Sequence, residues 1–307
     1  MATWELFGAA VGAGLASGRE IASFFGRYGA WGYAGIVVSA AVMALLAGAR
    51  LPSAWRGRWP ERLWRTLQSL LLLVTGGAML AGAVELATAL PGRWARPSAM
   101  AATLLTAWLL AYRTQCGLAW VSRVLLAGLA ALLVRAMLRP PMGGTMQAEP
   151  FAPLGLLRAA AYGGFNAAIM HPVMAVRRGG ARPLTAACSL LAVLLSAGLA
   201  VLLRHPAAMG APMPFAFLAG EMGGGRLLAG ACLYLAILST LTACLRGLGS
   251  AWSPAGVAVA AMLGFTGAVE SAYPLLGGAC AVMMAAMRAS NFAKSERNTF
   301  LSGRGVV

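Results

Sequence analysis

Apolar segments of about twenty residues recur along almost the whole chain, and this is the length that crosses the hydrocarbon core of a bilayer as an α-helix. Of the 307 residues, 60% are hydrophobic and 10% are charged, whereas about a quarter of the residues in a soluble domain are charged. Backbone polar groups must be paired inside lipid, and a helix pairs them within one segment. The pattern therefore predicts an all-α integral membrane protein.

The positions of these segments predict ten transmembrane helices, of which the fourth and the ninth are short. The predicted ranges are 4–27, 30–50, 64–88, 98–112, 115–138, 154–176, 182–204, 226–246, 251–266 and 268–288. The stretch PMPFAFLAGEMGGG at 212–225 predicts a re-entrant or surface helix instead of a further crossing.

Ten crossings divide into two halves of five, and an odd number per half makes the second half enter the membrane from the opposite side. Two such halves would be inverted repeats, a plan common among secondary transporters. We expect the first five-helix repeat at 1–138, a connecting loop at 139–153, the second repeat at 154–288 and a cytoplasmic tail at 289–307.

The net charge of +16 does not indicate nucleic-acid binding. Basic residues that bind a phosphate backbone form a stripe on one folded surface. Here they lie between apolar runs, where arginine sets membrane orientation and contacts anionic lipid headgroups. The most basic segments are the second-to-third loop, the sixth-to-seventh loop and the tail. We therefore expect a multi-pass protein of the cell membrane, with both termini cytoplasmic and the lipid bilayer as a partner.

The first span, which includes FGAAVGAGLASGREIASFFGRYG, predicts a break around Gly12–Gly18. The sixth span opens the second half and carries a matching pair, Gly163–Gly164. Glycine costs about 1 kcal/mol relative to alanine inside a helix, and unwound backbone is tolerated in a membrane only where protein or a water-filled cavity receives its polar groups. Paired breaks indicate a binding site at the membrane midplane. Close helix packing through glycine is the alternative.

A discontinuous helix presents free N–H groups on one half-helix and free carbonyls on the other. With the helix dipole, the first end suits a carboxylate and the second suits an ammonium group or another cation. A zwitterion such as an amino acid satisfies both ends, and Ser17, Tyr162 and Asn166 would add side-chain hydrogen bonds.

Ionisable side chains inside a membrane segment indicate functional sites by default. Arg19 and Glu20 directly follow the first break, and as neighbours in a helix they do not face each other. Arg19 and Glu270 form a candidate outer gate, unless Glu270 contacts only headgroups or a loop. Glu20 would bind a substrate amine, carry a proton or make a structural hydrogen bond. His171, before Pro172, belongs either to an inner hinge or to a packed, hydrogen-bonded position.

The stretch VGAGLASGREIASFFGRYG, which runs directly into a second span, resembles the opening of YkvI-type membrane proteins. AYGGFNA in the sixth span and LAILSTLTACLRGLG in the eighth are looser matches in the same order. That group belongs to the amino acid–polyamine–organocation transporter superfamily, whose fold is similar to that of the bacterial leucine transporter. The resemblance therefore implies a LeuT-like, five-plus-five inverted repeat with discontinuous helices 1 and 6.

The superfamily's substrate contacts map onto the two breaks. The matching residues are Gly12, Ala13 and Gly14 in the first helix, and Tyr162, Gly163 and Gly164 in the sixth. The resemblance implies that the first-helix amides face a substrate carboxylate.

In sodium-coupled members, two hydroxyl residues of the eighth helix meet first-helix carbonyls around one ion. The best match is Ser239 and Thr240, with the carbonyls near Gly8 and Val11 opposite. The alternative for both hydroxyls is a bond to the preceding turn of their own helix. Coupling to Na+, coupling to H+ and uncoupled movement stay open.

These features predict a secondary active transporter of a small zwitterionic or amine solute, working by alternating access. The alternative from another class is a receptor of the same fold that binds a small molecule and signals to a partner protein; a structural protein with a decayed site is a third. The chain carries none of the HExxH, GxSxG or P-loop motifs that mark common classes of enzyme. An enzyme is therefore not expected. No cofactor is expected besides the coupling ion.

Overall fold

The computed structural model describes residues 2–86, 95–113, 117–143, 153–177, 180–211, 213–220, 224–250, 253–263 and 272–303. Within these ranges the chain forms helices and short connections, and it contains no β-strand. A helix satisfies its own backbone hydrogen bonds, as an apolar segment in lipid requires. The prediction of an all-α protein is confirmed.

The α-helices of the described ranges are numbered in chain order. They are α1 (Ala2–Ala10), α2 (Ala13–Ala16), α3 (Arg19–Phe24), α4 (Gly32–Leu46), α5 (Trp59–Leu86), α6 (Ala95–Tyr112), α7 (Gly117–Met137), α8 (Pro153–Arg177), α9 (Ala181–Arg204), α10 (Pro206–Met209), α11 (Pro214–Gly220), α12 (Gly225–Leu248), α13 (Ser253–Ala260) and α14 (Tyr273–Gly303). Three 3₁₀-helices accompany them in these ranges, at Gly26–Trp31, Ser53–Trp55 and Ala261–Leu263.

Among the described residues, six helical segments are long and apolar enough to cross a membrane. They are Gly26–Leu46, Trp59–Leu86, Gly117–Met137, Ala181–Arg204, Gly225–Leu248 and Leu275–Ala293. The predicted spans 98–112 and 154–176 are also helical, as α6 and α8, and a short helix, α11, lies within 212–225. The chain is thus an all-α, multi-pass membrane protein.

Helix α1 lies in the interior of this fold. Every residue from Glu5 to Ala10 is buried, and α1 packs on α7, α8, α9 and α12. Helix α8 packs against α4 and α14 as well as α1, and α12 packs against α5, α6 and α7. The first predicted span is therefore surrounded by helices from both predicted halves.

The first predicted span is interrupted, as its glycines predict. Helix α1 ends at Ala10, and Gly12 is extended, with φ −84° and ψ 178°, before α2 begins. A second interruption follows at Gly18, whose φ of +82° lies in the left-handed region, where glycine has no steric penalty. The span is therefore three short helices in series.

The predicted interruption of the sixth span is wrong. Helix α8 continues from Pro153 to Arg177 through Gly163 and Gly164. A Cβ placed at Gly163 would lie 2.6 Å from the Ser39 carbonyl oxygen of α4, and one placed at Gly164 would collide with Ala281 of α14. These glycines allow close packing of α8 with its two neighbours, which was the alternative interpretation.

We expect Gly163→Ala to destabilise the protein, because the added Cβ would meet backbone that cannot rotate away. Overpacking of this kind costs about 1–3 kcal/mol, and the measurement is the midpoint of thermal unfolding in detergent. Gly230→Ala in α12 is the matched control, because a Cβ there has nothing within 4 Å and alanine is the better helix former. Equal midpoints for the two variants would contradict the packing role of Gly163.

Candidate functional site at the interrupted first helix

The carbonyl end of the break is bonded to α12. The Thr240 hydroxyl donates to the carbonyl oxygens of Val11 at 3.2 Å and Ala9 at 3.4 Å. Ala9 lies in the last turn of α1 and Val11 directly follows that helix, where the last acceptors are left without partners. Thr240 therefore supplies from another helix a hydrogen bond that the break removes.

The residues predicted for an ion site lie together, but their hydroxyls bond differently. A Cβ placed at Gly8 would lie 3.5 Å from the Ser239 Cβ, so α1 and α12 are close there. The Ser239 hydroxyl donates to Ala236 in its own helix at 3.0 Å. Thr240 thus makes the expected contact with the first helix, and Ser239 makes the alternative one.

The amide end of the break is covered by Met79 of α5. The Ala13 N–H donates to the Met79 sulfur at 3.4 Å, a weak acceptor. A Cβ placed at Gly12 would lie 3.6 Å from the Thr240 hydroxyl oxygen and 3.7 Å from Met79. Met79 was not predicted, because one methionine in a long apolar helix carries no signal that separates a contact of this kind from ordinary core packing.

Ser17 is used within the second interruption. Its hydroxyl donates to the Gly14 carbonyl at 3.0 Å and accepts from the Arg19 N–H at 3.3 Å. Its carbonyl accepts from the Phe215 N–H at 2.9 Å. A Cβ placed at Gly18 would lie 3.1 Å from the Phe215 ring, so α11 packs directly on this turn. Phe215 is a second contact that the sequence did not predict.

Glu20 and Tyr162 form a buried pair between α3 and α8. The Tyr162 hydroxyl donates to the Glu20 carboxylate, with an oxygen–oxygen distance of 3.0 Å. The exposed fractions are 3% for Glu20 and 2% for Tyr162. The rings of Phe24 and Phe25 lie 5.0 and 5.2 Å from the Tyr162 ring, which fixes its orientation. Two residues singled out in different spans are therefore in direct contact.

Asn166 lies one helical turn beyond Tyr162 on the same face of α8. Its amide nitrogen donates to the Tyr162 carbonyl at 3.1 Å. Its side-chain oxygen, Oδ1, is buried and has no hydrogen-bond partner in the described part of the chain. A buried polar atom without a partner is rare in native proteins and requires an explanation.

The remaining predicted residues lie apart from this cluster or outside the described ranges. Gly163 and Gly164 face α4 and α14, and not α1. Arg19 is partly buried, and Glu270 lies outside the described residues, so the gate between them stays a prediction. His171 donates from Nε2 to the Ala49 carbonyl at 3.0 Å and accepts from Gln68 at Nδ1 at 3.1 Å. It therefore occupies a packed, hydrogen-bonded position.

Comparison of the chain with protein-family models gives no match, and comparison with curated proteins gives none either. The class that the fold and the buried cluster define is an all-α, multi-pass membrane protein with an interrupted interior helix. The likeness to YkvI-type proteins and to the transporter superfamily stays a prediction from the sequence.

We expect Thr240→Val to destabilise the protein, because it leaves the Val11 and Ala9 carbonyls without their donor. An unpaired buried polar group costs about 1–3 kcal/mol. Thr242→Val is the matched control on the same helix, because the buried Thr242 hydroxyl has no partner among the described residues and its removal leaves no acceptor there unpaired. Thermal unfolding in detergent compares the two; a Thr242→Val loss as large as that of Thr240→Val would contradict the assignment.

Proposed function

We propose that the protein is a secondary active transporter that moves a small amine or amino-acid-like solute across the cell membrane by alternating access. One observation carries the proposal: the interior helix of a multi-pass membrane protein opens at Val11–Gly12, where side chains of α5 and α12 contact it. A continuous helix would satisfy its backbone without help. An open one leaves polar groups in the membrane interior; such openings are tolerated where protein covers them or where they line a cavity, and in transporters they line the binding site.

The side chains near the opening favour a polar molecule as the transported solute. Tyr162 and Asn166 bring a hydroxyl and an amide from α8, and Glu20 brings a carboxyl group from α3. Buried polar and ionisable groups are expensive in a membrane and generally mark a substrate or ion pathway. Helix α8, the sixth predicted span, is continuous. We therefore propose that α8 contributes only side chains to the solute site, and that the first span contributes its open backbone.

The proposal retains the ten-helix, five-plus-five arrangement with cytoplasmic termini. The six described spans, the interrupted first span and the helices α6, α8 and α13 together make ten. In this arrangement the first and sixth spans, α1–α3 and α8, open the two repeats. Alternating access would consist of one repeat rocking against the other around the opening.

Sodium coupling makes a specific prediction about Thr240. If Na+ binds between its hydroxyl and the Val11 carbonyl, Na+ should raise the unfolding temperature of the wild-type protein relative to an equal concentration of choline. Thr240→Val should lose this increase, and Thr240→Ser should keep it. Ser239→Ala is the control, because the Ser239 hydroxyl bonds to its own helix and the increase should persist.

The sodium experiment has two contrary outcomes. A sodium effect that survives in Thr240→Val would place the ion elsewhere. The absence of any sodium effect in the wild-type protein would exclude sodium coupling at this site and leave H+ as the coupling ion to test.

Transport itself is tested by counterflow in proteoliposomes. Vesicles loaded with an unlabelled amine or amino acid should take up the labelled compound transiently against its gradient, and protein-free vesicles should not. Saturable binding without counterflow for every compound tested would contradict transport and identify a receptor of the same architecture.

A further inference from the structure

The position of Glu20 bears on the chemical class of the solute. Its side chain folds back over the start of α2, because a Cβ placed at Gly14 would collide with the carboxylate oxygen Oε1. The resemblance assigns the backbone of Gly12–Gly14 to a substrate carboxylate. In this structure a carboxyl group of the protein itself already lies against that segment.

The Glu20 carboxyl group has no cationic partner among the described residues. The Tyr162 hydroxyl is its hydrogen-bond donor there, and no described Arg or Lys side chain lies within ion-pair distance of it. A carboxylate offers about four acceptor positions, and a buried charge without a counter-charge is strongly unfavourable. A bound cation would supply both the counter-charge and further donors.

Asn166 and Thr240 lie at similar distances along their helices from one contact between α8 and α12. Helices α8 and α12 touch at Pro172 and Gly247, where a Cβ on the glycine would lie 3.0 Å from the proline ring. From that contact, Asn166 lies six residues back along α8 and Thr240 seven residues back along α12. At 1.5 Å per residue both are about 10 Å away, and both helices pack on α1.

Asn166 also lies on the face of α8 that is turned towards the first span. Tyr162, one turn away on this face, bonds to Glu20. Gly163 and Gly164 define the other faces, which meet α4 and α14. Asn166 therefore lies on the side of α8 that carries the contact with Glu20, and its buried amide oxygen has no hydrogen-bond donor among the described residues.

The polar groups around the break are mainly acceptors. They include the carboxylate of Glu20, the side-chain oxygen of Asn166 and the carbonyls of Ala9 and Val11. The Ala13 N–H is already directed at the Met79 sulfur. An ammonium group has three donors and no acceptor, so it complements this set, whereas a second carboxylate would be repelled by the first.

We propose that the solute is a cationic amine whose ammonium group pairs with the Glu20 carboxylate and donates to Asn166 Oδ1 beside the interrupted first helix. The inference rests on the proposed function, since it takes the break as the solute site. The side chains of Met79 and Phe215 cover the break and the Gly18 turn, so they must move to admit the amine. Methionine, with its flexible chain, suits such a movement.

The experiment compares each amine with the amino acid that differs from it by one carboxylate. The probes are 1,4-diaminobutane against ornithine and 2-phenylethylamine against phenylalanine, and the readout is the concentration-dependent rise in unfolding temperature of the purified protein in detergent. We expect an amine to bind at least tenfold more tightly than its amino acid. Glu20→Gln should weaken amine binding at least tenfold, and Glu85→Gln, which alters an exposed glutamate, should leave it unchanged.

A second variant addresses the same contact if Glu20→Gln does not fold. Gly14→Ala places a methyl group where the Glu20 carboxylate lies, so it should also weaken amine binding, and Gly230→Ala should not. The proposal is overturned if the amino acid binds as tightly as its amine, if folded Glu20→Gln binds the amine as the wild type does, or if neither amine stabilises the wild-type protein at millimolar concentration.

The amine-binding experiment and the counterflow experiment can give different answers, so a failure of one proposal can be told apart from a failure of the other. Amine binding that depends on Glu20, without counterflow, would support the amine site and contradict the transporter. Counterflow of an amino acid that survives in Glu20→Gln would support the transporter and overturn the amine site.

Discussion

Backbone hydrogen bonding is the constraint on which the arrangement of the interior depends. In lipid a helix must pair its own N–H and C=O groups, yet the first span of this protein opens at Gly12. The structure compensates from neighbouring helices: Thr240 donates to the carbonyl end, and the Met79 sulfur accepts from the amide end. The close packing of α1 with its neighbours is therefore a requirement of the break as well as a result of apolar burial.

Glycine has two different roles in this chain. Gly12 and Gly18 lie where the backbone leaves the helix, the second with a positive φ. Gly163 and Gly164 lie inside a continuous helix and allow two others to approach. The local cost of a helical glycine is about 1 kcal/mol, which close contact with neighbouring helices offsets. Glycine content alone could therefore not distinguish the two roles.

The contact between Glu20 and Tyr162 connects α3, the last helix of the interrupted span, to α8. Both residues were singled out from the sequence, for different reasons: Glu20 as a charge inside the membrane, and Tyr162 as a neighbour of a glycine pair. Their hydrogen bond joins the carboxyl group of Glu20 directly to a side chain of α8. Asn166, one turn further on, keeps an amide oxygen unpaired in the same region.

The sequence by itself determined the all-α membrane class, because long apolar runs with few charges leave no other structure for the backbone in lipid. It also indicated a break in the first span, where four glycines fall within eleven positions, although the same signal predicted a break in α8 that the structure does not have. Only the tertiary structure decided that α8 is continuous, that Thr240 and not Ser239 bonds to α1, and that Met79 and Phe215 cover the site. Those outcomes depend on which side chains approach across helices, and contacts between segments distant in the chain leave no periodic signal in the sequence.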